Sequence, residues 1–159
     1  MSKKITIVGA GYVGMSLSYI LAKNNDLKIY DLDNSKIRKI NNGILPSDKK
    51  VKEYLTANGI FLNATHSKKE AYKDAQFIII CTPTDYNENK NFFDTSSVEN
   101  VLEDAIKENN QAILVIKSTV PIGFTSKIKK KYSRRKILFS PEFLREDRLL
   151  EDNLFPSRI

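Results

Sequence analysis

Residues 5–14 read ITIVGAGYVG. Ile5, Thr6, Ile7 and Val8 favour an extended strand, which runs without a linker into Gly9, Gly11 and Gly14 at the spacing of a turn that binds a dinucleotide. Each glycine has its own task in such a turn. Gly9 lets the chain turn sharply out of the strand, Gly11 lets the backbone approach a pyrophosphate with no Cβ in the way, and Gly14 lets helix and strand pack closely. The anion then rests on free N–H groups at a helix N-terminus, where the macrodipole favours negative charge.

The residues after the turn give it weight. Val13, Leu17, Ile20 and Leu21 recur at helical spacing, which predicts an amphipathic helix ending near Asn24 and Asn25. A second short strand, Leu27 to Tyr30, closes at Asp31, twenty residues beyond Gly11. An acid there accepts both ribose hydroxyls of an adenosine. The same carboxylate repels a 2′-phosphate, so the reading is NAD rather than NADP. The plainer alternative is a strand–turn–helix unit that binds nothing; the complete order of strand, turn, helix, strand and acid argues for the ligand.

The 159 residues suit one domain with a single core, and 41% hydrophobic with 28% charged residues is the composition of a soluble globular protein. No apolar run approaches the roughly 20 residues of a membrane span. The N-terminal apolar stretch is a strand broken by glycines rather than a signal-peptide core, so a cytoplasmic location is expected. Cys81 is the one cysteine and forms no internal disulfide, which suits a reducing compartment. A net charge of +7 is concentrated in KIKKKYSRRK, residues 127–136. Such a run recruits nucleic acid or an anionic membrane in some proteins, but no aromatic pattern accompanies it. Lysines at a helix C-terminus complement the dipole, so neither nucleic acid nor membrane is an expected partner.

Beyond Asp31, a helix is predicted over Asn34 to Asn42, capped by Asn34 or Ser35 and stopped by Gly43; this brings Lys36 near the adenosine ribose. Pro46 and Ser47 start another helix with Val51, Tyr54 and Leu55 on its apolar face, ended by Gly59. Phe61 and Leu62 are assigned to a strand reaching Thr65, and a short helix covers Lys68 to Lys73. Gln76 to Cys81 is a continuous apolar run, typical of a strand buried on both faces of a parallel sheet. A helix over Val98 to Lys107, a strand over Ala112 to Ile116, a helix from about Thr125 to Tyr132 and a strand over Ile137 to Phe139 complete the alternation. The fold class is therefore α/β, a Rossmann-type doubly wound, mainly parallel sheet with helices on both faces and ligands beyond the carboxyl ends of its strands.

The segments after the later strands are unusual. CTPTDY begins at Cys81, KSTVPIG at Lys117 and SPEFLRE at Ser140. Pro83 and Pro121 stiffen their loops by fixing φ, and Thr84 and Thr119 offer hydroxyls to a cofactor or a water. Either threonine could instead be an ordinary loop hydroxyl. Glu142 and Glu146 share one face if the segment turns helically, giving paired carboxylates for acid/base work; spaced acids are also common on a solvated helix. Cys81 is rejected as a nucleophile because it ends an apolar strand with no adjacent cation or imidazole to lower its pKa. His66 stands on a polar segment without metal-ligand partners, and no metal is expected.

Taken in order, GAGYVG, DLDNSK, INNG, TPTDYN with FFDT, IKSTVPIG, SPEFLRE and NLFPSRI resemble the N-terminal domain of the UDP-glucose/GDP-mannose dehydrogenase family over essentially the whole chain. TPTDYN and NFFDT are more similar to the bacterial UDP-glucose branch. The resemblance implies oxidation of the C6 alcohol of UDP-glucose to the carboxylate of UDP-glucuronate in two NAD-dependent hydride transfers through a cysteine thioester. It implies that Val13, Asp31, Lys36, Thr84, Thr119 and Glu146 contact NAD, beside the turn residues Gly9, Gly11, Tyr12 and Gly14. It also implies that Glu142, Phe143, Leu144, Arg145 and Glu146 line the UDP-sugar. Thr119 and Glu142 would hold a catalytic water or assist proton movement, and Glu146 would be general base in thioester hydrolysis.

In that family the nucleophilic cysteine, its helpers and most of the uridine site belong to a central helix and a C-terminal domain, and subunits pair through the central helix. Residues 1–159 are thus expected to be the NAD-binding domain of a longer, homodimeric protein, and to be inactive alone. Two alternatives remain open: a dehydrogenase of UDP-N-acetylmannosamine or GDP-mannose, and a non-catalytic NAD-binding module.

Overall fold

In the computed structural model, which describes residues 1–44, 49–87, 92–133, 135–142 and 148–155, the opening stretch forms strand β1 (Lys4–Val8) and helix α1 (Tyr12–Leu21). Next come strand β2 (Asp26–Tyr30), helices α2 (Asn34–Asn41) and α3 (Lys49–Ala57), strand β3 (Asn63–Thr65), helix α4 (Lys68–Tyr72) and strand β4 (Phe77–Ile80). A hairpin, β5 (Asp85–Asn87) with β6 (Phe92–Asp94), leads into helix α5 (Ser96–Glu108). The rest is strand β7 (Ile113–Ile116), helix α6 (Phe124–Lys131), strand β8 (Ile137–Phe139) and helix α7 (Leu149–Leu154).

Six strands form one sheet in the order β3-β2-β1-β4-β7-β8, and every pairing in it is parallel. The connections run outward from β1 to β3 on one side and from β4 to β8 on the other, so the order reverses between β1 and β4. That reversal opens a crevice at the carboxyl ends of the two central strands, where ligands bind in sheets of this kind.

Side chains alternate across the sheet as the period of a strand requires. Ile5, Ile7, Leu27 and Ile29 join a cluster with α1, α2, α3 and α7, through residues such as Met15, Ile37, Leu55 and Leu150. Val8, Tyr30, Ile78, Ile80, Leu114 and Ile116 face the other way, onto α4, α5 and α6. Ile7, Ile29, Ile78, Ile80 and Ile116 are wholly buried, and each such side chain stabilises the fold by about 1.5–3 kcal/mol. The sheet is therefore fixed as the rigid base from which the site loops project.

Several expectations change in detail. The cap of α2 is Asp33, whose side chain accepts from the N–H groups of Ser35 and Lys36, rather than Asn34 or Ser35. Phe61 lies outside any strand and is 92% exposed, while β3 begins only at Asn63; two apolar residues in sequence read as a strand although β2 offers its edge to Asn63–Thr65 alone. The run at β4 is less uniformly buried than its composition predicts, with Ile78 and Ile80 fully enclosed and Phe77 and Ile79 partly so. The hairpin and α7 have no counterpart in the sequence reading; β5, Asp85–Asn87, is mostly Asp and Asn, which strands disfavour. Pro46 and Ser47, assigned there to a helix start, lie outside the described residues.

Candidate functional site

All six strands of the main sheet finish on one line. Thr65, Tyr30, Val8, Ile80, Ile116 and Phe139 are neighbours across the sheet by register, so the loops after them leave from a common edge. Their first residues are still tied to the neighbouring strand. The N–H of Gly9 donates to Tyr30 O (2.8 Å), Asp31 to Thr65 O (3.3 Å), Cys81 to Val8 O (2.8 Å), Lys117 to Ile80 O (2.9 Å) and Ser140 to Ile116 O (3.0 Å). Loops anchored this way carry their side chains on rigid supports.

At the centre of that edge, Gly9 has φ +101°, and a Cβ on it would lie 2.7 Å from the carbonyl oxygen of Cys81. A Cβ on Gly14 would lie 1.9 Å from the carbonyl oxygen of Gly9, which is how closely α1 approaches the turn. Gly11 differs from both: a Cβ there would meet nothing within 4 Å. Its lack of a side chain keeps open space beside the first turn of α1, whose end no side chain caps. A diphosphate fits this arrangement, since uncapped N–H groups and open space occur together.

Asp31 stands beside the turn with its side chain only 13% exposed. One carboxylate oxygen accepts from the N–H of Ala10 at 2.6 Å and the other from the N–H of Asp33 at 2.8 Å, while the ammonium of Lys36 lies 3.9 Å away. The carboxylate thus braces the glycine turn against the start of α2, and each oxygen keeps further acceptor capacity for a ribose.

Two clefts of about 510 Å³ each meet here, sharing Gly9, Asp31, Lys36, Thr82 and Pro83. The first extends toward α4 and α5, with Leu32, Pro83 and Val101 on its walls and Lys68 and Asp104 at its rim, where they form an ion pair of 2.6 Å. Leu32 is 80% exposed, an apolar side chain left in the open at a cleft wall. The second passes Gly11, Tyr12 and Val13 and reaches Cys81, Thr84, Thr119 and Glu142. End to end they form one elongated groove across the reversal of strand order.

In the second cleft the loops are stitched together. The hydroxyl of Thr84 donates to the carbonyl of Thr119 at 2.7 Å, so it serves the loop first and has acceptor lone pairs left for a ligand. Ser118 is buried and donates to Thr82 O at 2.7 Å, and the Ser97 hydroxyl donates to Pro83 O at 2.6 Å. Thr119 itself is exposed. Lys117 forms an ion pair of 2.8 Å with Glu142, so the carboxylate predicted to pair with Glu146 has an ammonium beside it. Phe143, Leu144, Arg145 and Glu146 lie outside the described residues.

Cys81 needs one correction. A cation does stand near its thiol, namely Lys117, but burial outweighs it and Glu142 opposes it, so the thiol is pushed up to about 12. Its rejection as a nucleophile therefore rests on desolvation rather than on the lack of a cation. His66 is exposed. In the basic run, Lys129, Lys130 and Lys131 occupy the last turn of α6, and Lys131 pairs with Glu103 at 2.9 Å. Among the described residues no group of three His, Cys, Asp or Glu side chains is placed to hold a metal, and no helix is long and apolar enough to cross a membrane.

The sequence reading missed the far wall of the first cleft, Leu32, Ser97, Asn100 and Val101, and it passed over Lys117. Leu32 carried a usable signal, an apolar residue directly after the acid that ends β2. The helix α5 residues carried none, because a helix face turned to a ligand has the same periodicity as one turned to a core.

Known proteins resemble this chain over nearly its whole length. The family model described as UDP-glucose/GDP-mannose dehydrogenase family, NAD binding domain, matches residues 3–159. A UDP-glucose 6-dehydrogenase of Campylobacter jejuni is 50% identical over 98% of this chain and 40% of its own length, and one of Streptococcus pneumoniae is 43% identical with the same coverage. Among solved structures, a ternary complex of GDP-mannose dehydrogenase from Pseudomonas aeruginosa is similar with a TM-score of 0.80 and 27% identity, over 96% of this chain and 39% of that one. The chain spans about two fifths of the length of the curated relatives it matches.

Proposed function

The chain belongs to the UDP-glucose/GDP-mannose dehydrogenase family, and on that premise we propose that residues 1–159 are the NAD-binding domain of an enzyme that oxidises UDP-glucose to UDP-glucuronate. The observation that carries this reading is the single groove that crosses the reversal of strand order and passes the uncapped first turn of α1. Leu32, Pro83 and Val101 would hold the adenine, Asp31 with Lys36 alongside would take its ribose, and Gly11 with the N–H groups of Tyr12 and Val13 would take the diphosphate. Thr84 and Thr119 would then meet the nicotinamide end, with Glu142 beside them on the same cleft.

When bound, NAD supplies the acceptor for a hydride from the sugar C6. The chain's own groups orient the reactants around it. Asp31 fixes the ribose and disfavours a 2′-phosphate through like charge. The Thr119 hydroxyl and Glu142 carboxylate hold a water or take up a proton near the reacting carbon, and Glu146 acts as base when water attacks a thioester. That thioester requires a cysteine from another part of the protein, since Cys81 is a desolvated, protonated thiol. Alone, this chain binds NAD and turns nothing over, and two NAD are consumed per sugar by the complete homodimeric enzyme.

Identity of 50% to a UDP-glucose 6-dehydrogenase favours UDP-glucose over other sugars. The decisive experiment titrates this chain with NAD and NADP and assays the full-length protein for NADH with UDP-glucose, UDP-N-acetylmannosamine and GDP-mannose. NAD binding at least tenfold tighter than NADP, with UDP-glucose as preferred substrate, is expected. Preference for another sugar moves the protein to a sister activity, and NAD binding without turnover of any sugar identifies a non-catalytic module.

A further inference from the structure

Among the described ion pairs, Lys117–Glu142 is set apart by its surroundings. Its two side chains are 12% and 17% exposed, whereas each of the other six described pairs has at least one partner 49% exposed or more. Exposed pairs are loosely held and weakly coupled. Two charges withdrawn from water depend on each other, and removal of one leaves the other uncompensated.

The backbone around this pair is already secure without it. Strands β7 and β8 are joined in register from Leu114↔Ile137 to Ile116↔Phe139, and the N–H of Ser140 continues the ladder onto Ile116 O. The N–H of Lys117 is likewise bound to Ile80 O. The strands are thus joined without the pair, which acts two residues past the last bond of the ladder. What the pair does fix is direction: the Lys117 ammonium lies 2.8 Å from Glu142 Oε2 and 3.4 Å from the Ser140 hydroxyl, and both charged side chains line the same cleft as Gly11, Thr84 and Thr119.

We infer that Lys117 is a positioning residue, whose ammonium holds the Glu142 carboxylate in one orientation at the sugar end of the cleft. The inference deepens the proposed function and rests on its assignment of Glu142 to the reacting centre. In this role Lys117 acts through Glu142.

The test compares Lys117→Met, Lys117→Arg, Glu142→Gln and the double variant Lys117→Met/Glu142→Gln in the full-length enzyme, with NAD affinity by calorimetry, thermal unfolding, and kcat and KM for UDP-glucose. Loss of carboxylate orientation lowers kcat by roughly tenfold to a hundredfold, part of what a positioned acid or base contributes. Lys117→Met is expected to show that loss with NAD affinity within about twofold of wild type, and Lys117→Arg to recover most of it. The double variant is expected to be no slower than Glu142→Gln alone, because interacting residues are not additive; carrying neither charge of the pair, it also reports on the pair if Lys117→Met folds poorly. An active wild type beside an unimpaired Lys117→Met, or a double variant slower than Glu142→Gln by the full Lys117→Met factor, overturns the positioning role alone. No NADH formation by wild type with any nucleotide sugar overturns the functional reading and the positioning role with it.

Discussion

At the end of the groove where adenosine is proposed to bind, the polar groups presented to a ligand are backbone N–H groups and the carboxylate of Asp31, with open space over Gly11. At the other end they are side chains from three separate loops, joined by Thr84 to Thr119 and by Lys117 to Glu142. The polar part of the first region is a local device, nearly complete within β1, α1 and β2, and only its far wall at Pro83 and Val101 comes from elsewhere. The second exists only after the sheet has brought residues 81–84, 117–119 and 140–142 to one edge. Substitutions in the first should act through backbone geometry and cofactor affinity, while those in the second should act through neighbours and through reactivity.

The largest effect separates two glycines of the same turn. Gly14→Ala drives a Cβ to within 1.9 Å of the Gly9 carbonyl, an overpacking that neither backbone nor side chain can relieve, so a loss of about 3 kcal/mol or more and loss of NAD binding are expected. Gly11→Ala meets nothing in the protein. Its unfolding temperature should stay close to wild type while NAD affinity falls roughly tenfold or more, because the new methyl occupies space the diphosphate needs. Thermal unfolding and NAD calorimetry on both variants provide the check. If Gly11→Ala bound NAD normally, the diphosphate would lie elsewhere and the division into two regions would fail.

This contrast also explains what was legible in the sequence. The glycine turn could be read because its spacing is short and fixed: Gly9 takes a positive φ, Gly14 packs on the Gly9 carbonyl, Asp31 accepts from Ala10, and Gly11 leaves open the space that the proposed diphosphate would fill. The parallel sheet could be read because Ile5–Val8, Gln76–Cys81 and Ala112–Ile116 are apolar runs separated by helical periods. Lys117 could not be read, since one lysine after a strand looks the same whether it faces water or Glu142, and the pairing depends on β7 and β8 lying side by side. At the start of α2, three residues able to cap, Asp33, Asn34 and Ser35, left the choice to geometry, and Asp33, with extended backbone at the helix entry, took it in place of the two expected. Phe61 misled because composition records apolarity and not whether a neighbouring strand reaches it.

Asp31→Ala should have the next largest effect, and it probes whether the first region is as local as it looks. The substitution removes the acceptor of the Ala10 and Asp33 N–H groups as well as the proposed ribose contact. An orphaned N–H beside the turn costs about 1–3 kcal/mol, so NAD affinity is expected to fall roughly tenfold to a hundredfold, with a lower unfolding temperature. Asp31→Asn sharpens the result, because its one amide oxygen still accepts from Ala10. Recovered stability with affinity still reduced would separate bracing from ribose binding. An affinity within about twofold of wild type in Asp31→Ala would exclude the ribose contact.

The smallest expected effect belongs to Thr84→Val, in the second region. Valine keeps the shape of threonine but withdraws the donor to the Thr119 carbonyl. Because Thr119 is exposed, water takes over as donor, and the stability loss should stay near 0.5–1.5 kcal/mol. Affinity for NAD should fall only about twofold to fivefold, on the order of one neutral hydrogen bond. The informative quantity is kcat in the full-length enzyme. If Thr84 positions the Thr119 loop, kcat falls by more than NAD affinity does, since a displaced hydroxyl at the reacting end is felt in the transition state more than in cofactor binding. Equal falls in both would mean that Thr84 is a binding residue like those of the first region, and the two ends of the groove would then differ in location but not in kind.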